Sequence, residues 1–131
     1  MRLVVHASAI VDRLLAAGQS PVRDTLRSPD AELHVPSLCD VELASTLRWR
    51  LRARQLNGSR AQQALDDYLA MPLRRHGHQG LLARILELRD QLSAHDATYV
   101  ALAEQLDASL VTTDLALARA VRARGYVPVL P

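Results

Sequence analysis

The sequence has no lysine and no phenylalanine, one cysteine and one tryptophan. Each shortage excludes something. Without lysine there is no P-loop NTPase, whose G-x-x-x-x-G-K-[ST] motif is absent, and no receiver-type signalling domain, whose mechanism uses a lysine. All 16 basic residues are therefore arginine, as GC-rich coding favours. Without phenylalanine, and with only three tyrosines, a chain that is 49% hydrophobic must build its core from Leu, Val and Ala. The lone Cys39 cannot form an internal disulfide and fits a reducing compartment. No apolar run approaches the length of a membrane span, and His6, Asp12 and Arg13 interrupt any signal-like segment near the start, so the expected location is the cytoplasm. A formal charge of +2 is too small to announce a nucleic-acid binder, and the turn HASAI lacks the glycines of a dinucleotide-binding fold.

What is present is alternation. LVV opens a strand near 2–6, followed by helices near 8–17 and 20–28, the second started by Ser20-Pro21. LHVP (33–36) is a second strand. Ser37 then opens a long helix to about Arg54, with Asp40 at the third position of an expected capping box. Asn57-Gly58-Ser59 is a turn before a helix reaching Met71, and PLRRH (72–76) is a short strand. A helix near 79–91 precedes one capped by Ser93 and running through Leu106. SLVTT (109–113) is a buried strand, 114–124 a helix closed by Gly125, and YVPVL (126–130) a last strand. Strands alternating with helices in one domain of 131 residues predict a three-layer α/β/α sandwich with a mainly parallel, twisted sheet.

Three acids share an unusual setting. Asp96 leads the face Tyr99, Val100, Ala103; Asp114 leads Leu117, Ala118, Val121; Glu42 lies between Leu38 and the positions Ser45, Thr46 and Trp49. Each suits a helix start as a cap or dipole partner. A cap, however, does not need an inward-looking face. If these helices begin where parallel strands end, the three carboxylates meet at one sheet edge beside His6, and they repel one another unless a cation joins them. Hard oxygen ligands suit Mg²⁺ or Mn²⁺ and, with it, hydrolysis of a phosphodiester.

In order along the chain, VVHASAIV, DVELASTL, SAHDATYVALAEQL and LVTTDLALARA resemble the motifs of the PIN-domain ribonucleases, specifically the toxin component of VapBC-type toxin–antitoxin pairs. The resemblance spans nearly the whole chain. It implies a metal-dependent endoribonuclease, with Glu42, Asp96 and Asp114 holding Mg²⁺ or Mn²⁺ and Ser8 and Thr112 supporting the cluster. It also implies an RNA substrate, a small VapB-type antitoxin whose arginine meets the acids, and a homodimer. The departure is His6, which stands where the family carries its first metal-binding aspartate. His6 is then a ligand of a site retuned toward a softer metal, the mark of an impaired nuclease, or the sign of a homologue that only binds antitoxin or RNA.

Other candidates have ordinary explanations. His76-Gly77-His78, with His34 and His95, lacks the spacing of a metal site, and His95 is expected beside the acids rather than among the ligands. Arg48, Arg50, Arg52 and Arg54 read as a solvated helix end complementing the dipole, with phosphate contact as the alternative.

Overall fold

The computed structural model describes residues 1–130. Five strands form one sheet: β1 (Arg2–Val5), β2 (Glu32–Pro36), β3 (Leu73–His76), β4 (Ser109–Val111) and β5 (Val129–Leu130). Their order is β3-β2-β1-β4-β5, and every pairing is parallel, with Val4 beside His34 on one side and beside Leu110 on the other. Leu3, Val4 and Val5 are all fully buried, so β1 shows no alternation. A strand covered on both faces has no reason to alternate.

Seven α-helices connect and cover the sheet: α1 (Ala7–Leu15), α2 (Pro21–Arg27), α3 (Leu38–Arg52), α4 (Gly58–Ala70), α5 (Leu82–Glu87), α6 (Ala94–Leu106) and α7 (Leu115–Arg124). α6 packs on β1, β2 and β4, and it is buried all round from Ala97 to Ala103, as expected of a helix pressed between sheet and further helix. α1 meets α2, α3 and α4, while α5 lies on α6. The architecture is the α/β/α arrangement of a PIN-like fold.

The chain enters at the middle strand, winds outward through β2 and β3, then returns to the other side of β1 as β4. The winding direction therefore reverses between β1 and β4. At such a switch point the connections leave in opposite directions and open a crevice beyond the strand ends.

Most helix ends follow the expected chemistry. Ser20 accepts from the Val22 N–H with Pro21 in the first turn, Asn57 accepts from Arg60 and Ser93 from Asp96, and Gly125 closes α7 at φ 64°. The box at Ser37 does not form. Ser37 Oγ donates to the His76 carbonyl instead, and Asp40 turns to Tyr68 and Arg75. The local signal lost to a tertiary partner, because the β3 end and the α4 tyrosine offered stronger contacts. The segment 79–91 is likewise divided into a 3-10 turn (Gln79–Leu81), α5 and further turns, where Leu88 and Leu92 bend inward to be buried.

Candidate active site at the β1–β4 switch point

β1 ends at Val5, and the His6 N–H continues the ladder by donating to the Val111 carbonyl at 2.9 Å. His6 then caps α1, with its backbone extended and its ring Nδ1 accepting from the Ser8 N–H at 3.3 Å. The side chain is 9% exposed. Across the crevice, β4 runs into Thr112, Thr113 and Asp114. Asp114 caps α7 through Oδ1, which accepts from the Leu117 N–H at 3.0 Å.

Two hydroxyls stitch these strand ends together. Ser8 Oγ lies 3.0 Å from Thr112 Oγ1 and 2.8 Å from His6 Nδ1, and it accepts from the Thr113 N–H at 3.0 Å. Thr112 Oγ1 accepts from the Asp114 N–H at 3.0 Å and lies 3.2 Å from His6 Nδ1. Both hydroxyls are thus spent on fixing the turn that carries Asp114.

The far side of the His6 ring faces α6. Nε2 is 3.1 Å from Asp96 Oδ1. The bond from His6 holds the Asp96 carboxyl below the usual carboxylate range, against burial, which acts the other way. Tyr99, one turn further along α6, is fully buried and sets its ring edge against His6 with centroids 4.7 Å apart. Its hydroxyl donates to Glu42 Oε1 at 2.6 Å. Burial above all, with nearby Cys39 and the bond to Glu42, pushes the Tyr99 phenol upward, so its hydroxyl keeps the proton it donates to Glu42. His95 stands beside this pair, its Nδ1 3.9 Å from Glu42 Oε2. A shallow cleft of about 320 Å³ opens there, lined by Ala7, Val41, Glu42, Ser45, Thr46 and His95.

The sequence motifs of β1, α3, α6 and the β4 end therefore arrive at one corner, joined through His6 and Tyr99. The chain is 40% identical over 129 residues to a VapC ribonuclease of Mycobacterium bovis, covering 98% of both chains. It belongs to the VapC ribonuclease family. No protein-family model matches it. Among solved structures, VapBC2 of Rickettsia felis bound to a promoter DNA fragment superposes with a TM-score of 0.73 at 15% identity, covering 99% of this chain and 98% of that one. VapC20 of Mycobacterium tuberculosis, a toxin that cleaves the sarcin–ricin loop, gives 0.66 at 18% identity, with 98% and 99% covered.

Within this VapC framework Tyr99 is the residue that sequence reasoning passed over. Its signal was its place three residues after Asp96, on the face that Asp96 leads. The histidines divide between two places. His95 adjoins Glu42, whereas His34 Nδ1 faces His76 Nε2 at 2.8 Å and His34 Nε2 faces Glu32 Oε1 at 2.7 Å, away on the β2–β3 edge. His78 accepts from the Leu38 N–H at the start of α3. Among the described residues no group of three His, Cys, Asp or Glu side chains lies close enough, as now placed, to hold a metal ion. Arg75 pairs with Asp40 and Arg74 with Glu32, while Arg48, Arg50 and Arg52 make no ion pair among the described residues. Among the described residues no helix is long and apolar enough to cross a membrane.

Proposed function

We propose that this chain is the toxin of a toxin–antitoxin pair, an endoribonuclease that hydrolyses RNA phosphodiesters with Mg²⁺ or Mn²⁺ in the cytoplasm. The observation that carries the reading is the likeness to a VapC ribonuclease over 98% of this chain, supported by Asp96 in the first turn of α6, Asp114 at the cap of α7 and Glu42 just past the first turn of α3.

The donor set fits a hard divalent ion in chemistry. Each carboxylate uses one oxygen within the protein: Glu42 toward Tyr99, Asp96 toward His6, Asp114 toward the Leu117 N–H. Glu42, Asp96 and Asp114 would hold the ion with what remains, drawn together from their present positions. A bound Mg²⁺ or Mn²⁺ would polarise the phosphate and acidify a water for attack. The protein's own work is placement. Ser8 and Thr112 fix the turn bearing Asp114, and Tyr99 orients Glu42. The N-termini of α1, α6 and α7 turn their partial positive charge toward an incoming phosphate.

A small VapB-type antitoxin fits the surface beside this corner. Its arginine would enter the cleft at Glu42, and its apolar residues the groove of about 330 Å³ between α3 and α4, lined by Leu47, Leu51, Ala61 and Leu65. Exposed Leu82, Leu86 and Leu115 supply apolar surface for a second copy in a homodimer.

The test is to incubate the full chain with structured RNA and each divalent ion. Cleavage that needs the ion and vanishes in Asp114→Asn supports the reading; cleavage indifferent to both overturns it. One feature favours a second reading, a homologue that only binds antitoxin or RNA: His6 occupies an acidic position of the family and engages Asp96. Antitoxin binding without cleavage under any ion would select it.

A further inference from the structure

We propose that His6 serves the corner as a hydrogen-bond donor that positions Asp96 through Nε2–H, and that it stays outside the metal's ligand set. The metal clause rests on the function proposed above; the donor clause does not.

The position of the ring proton follows from one fixed point. A backbone N–H can only donate, and the Ser8 N–H points at His6 Nδ1. Nδ1 must therefore be an acceptor, and the ring proton lies on Nε2. The hydroxyls can be assigned with Nδ1 as their final acceptor. Thr112 Oγ1 accepts from the Asp114 N–H and donates to Ser8 Oγ. Ser8 Oγ also accepts from the Thr113 N–H and gives its own proton to Nδ1. At the end of the chain Nε2–H meets Asp96 Oδ1 at 3.1 Å. Each donor is used once, and Thr112 Oγ1 then lies 3.2 Å from Nδ1 with no proton between them; the alternative, with Ser8 donating to Thr112 and Thr112 to Nδ1, leaves Nδ1 an acceptor all the same.

The arrangement that would make His6 a ligand breaks the hydrogen bond that caps α1. A metal at Nε2 needs the lone pair there, which moves the ring proton to Nδ1. That proton would face the Ser8 N–H at 3.3 Å, so α1 would lose its cap and Asp96 its donor. Nδ1 is no better placed, because its lone pair already receives the Ser8 donors inside a pocket closed by Thr112 and Tyr99. At this position the histidine replaces a charge with a directed donor, so the ion loses a ligand and Asp96 gains a fixed orientation.

The whole chain labelled uniformly with ¹⁵N tests this. A two-bond ¹⁵N–¹H correlation reads which ring nitrogen carries the proton, and the signals lost in His6→Gln identify His6. Adding ¹¹³Cd²⁺, a diamagnetic divalent ion, then reads ligation directly as one-bond ¹⁵N–¹¹³Cd splitting. The expected result is a proton on Nε2 and no splitting of either His6 nitrogen. A proton on Nδ1, or splitting at His6, overturns the proposal. Should the ion leave the Asp96 and Asp114 backbone signals unmoved, the metal part of the proposed function fails, while the proton position still decides the role of His6.

Discussion

Two buried histidines face carboxylates in this molecule, and they do different things. His6, 7% exposed, meets Asp96 at 3.1 Å; His34, 4% exposed, meets Glu32 at 2.7 Å. The pairs are alike in chemistry and differ in surroundings. His6 stands beyond a strand's carboxyl end at the switch point, and its second nitrogen is served by Ser8 and Thr112, which also anchor the start of α7. His34 sits within β2, and its second nitrogen faces another imidazole, His76, on edge strand β3. No helix start brings further acids to His34; Arg74 joins it instead, 3.2 Å from Glu32. Under the proposed function the His6 pair belongs to the reactive corner, whereas the His34 pair fastens two strands.

The comparison can be broken most severely at Asp114. Asp114→Asn keeps a capping side chain, so thermal melting should barely move, while RNA cleavage should fall by at least about 100-fold, the scale of a lost transition-state electrostatic contact. Gel assays and calorimetry on the same preparation check both halves. The matching change at the other pair, Glu32→Gln, should leave cleavage per folded molecule unaltered.

Next in size is His6→Asp, which restores the acid that the family resemblance places there. Cleavage in Mg²⁺ should rise at least tenfold, equivalent to about 1.4 kcal/mol in the transition state. That is a small part of the attraction a fourth carboxylate offers, since desolvation and repulsion among the acids return the rest. Initial rates at saturating Mg²⁺ measure it, and rates equal to the parent's would show that His6 does not limit the site.

His34→Leu should show the reverse pattern. It removes the bonds to Glu32 and His76 and leaves His76 Nε2 half-buried without its partner, costing about 1–2 kcal/mol. Urea unfolding reads the loss, and cleavage per folded molecule should not change.

The smallest effect is the pH dependence of the His34 pair. Burial, with His34 and Arg74 adding to it, holds His76 below its ordinary value of 6.5. A histidine lowered in the fold binds its proton more readily when unfolded, so stability drops as pH falls from 6.5 toward the folded value. The His34 bond, chiefly, holds Glu32 below 4.5, and that contribution is lost at more acid pH, as the carboxylate protonates through its folded value. The urea midpoint should therefore decline from pH 7.5 to 5.5, less steeply in His76→Asn, with a further decline below pH 4.5 that Glu32→Gln lacks.

Much of this was readable in advance from local physics. The runs LVV and LHVP, and the strand core of SLVTT, formed strands because consecutive apolar residues suit a sheet covered on both faces. Ser20, Ser93, Asp114 and Gly125 ended or opened helices because backbone groups at a helix end need a nearby partner or a left-handed residue, whereas Asn57-Gly58-Ser59, expected as a turn, became the cap and first residues of α4. Ser37 and Asp40 carried an equally good local signal and were drawn elsewhere, to His76, Tyr68 and Arg75. Local patterns count contacts within one turn, whereas these came from residues 28 to 39 positions away.

The sequence by itself determined the alternation, the aliphatic core and the three helix-start acids, because each depends on neighbours within a turn or two. Tertiary structure alone decided that β1 and β4 lie side by side, placing Ser8 against Thr112 across 104 residues and His6 against Asp96 across 90. It also decided that Tyr99 orients Glu42 and which nitrogen of His6 faces Asp96. Strand order and proton direction depend on which distant groups the folded chain brings within hydrogen-bonding reach, and no local spacing encodes that choice.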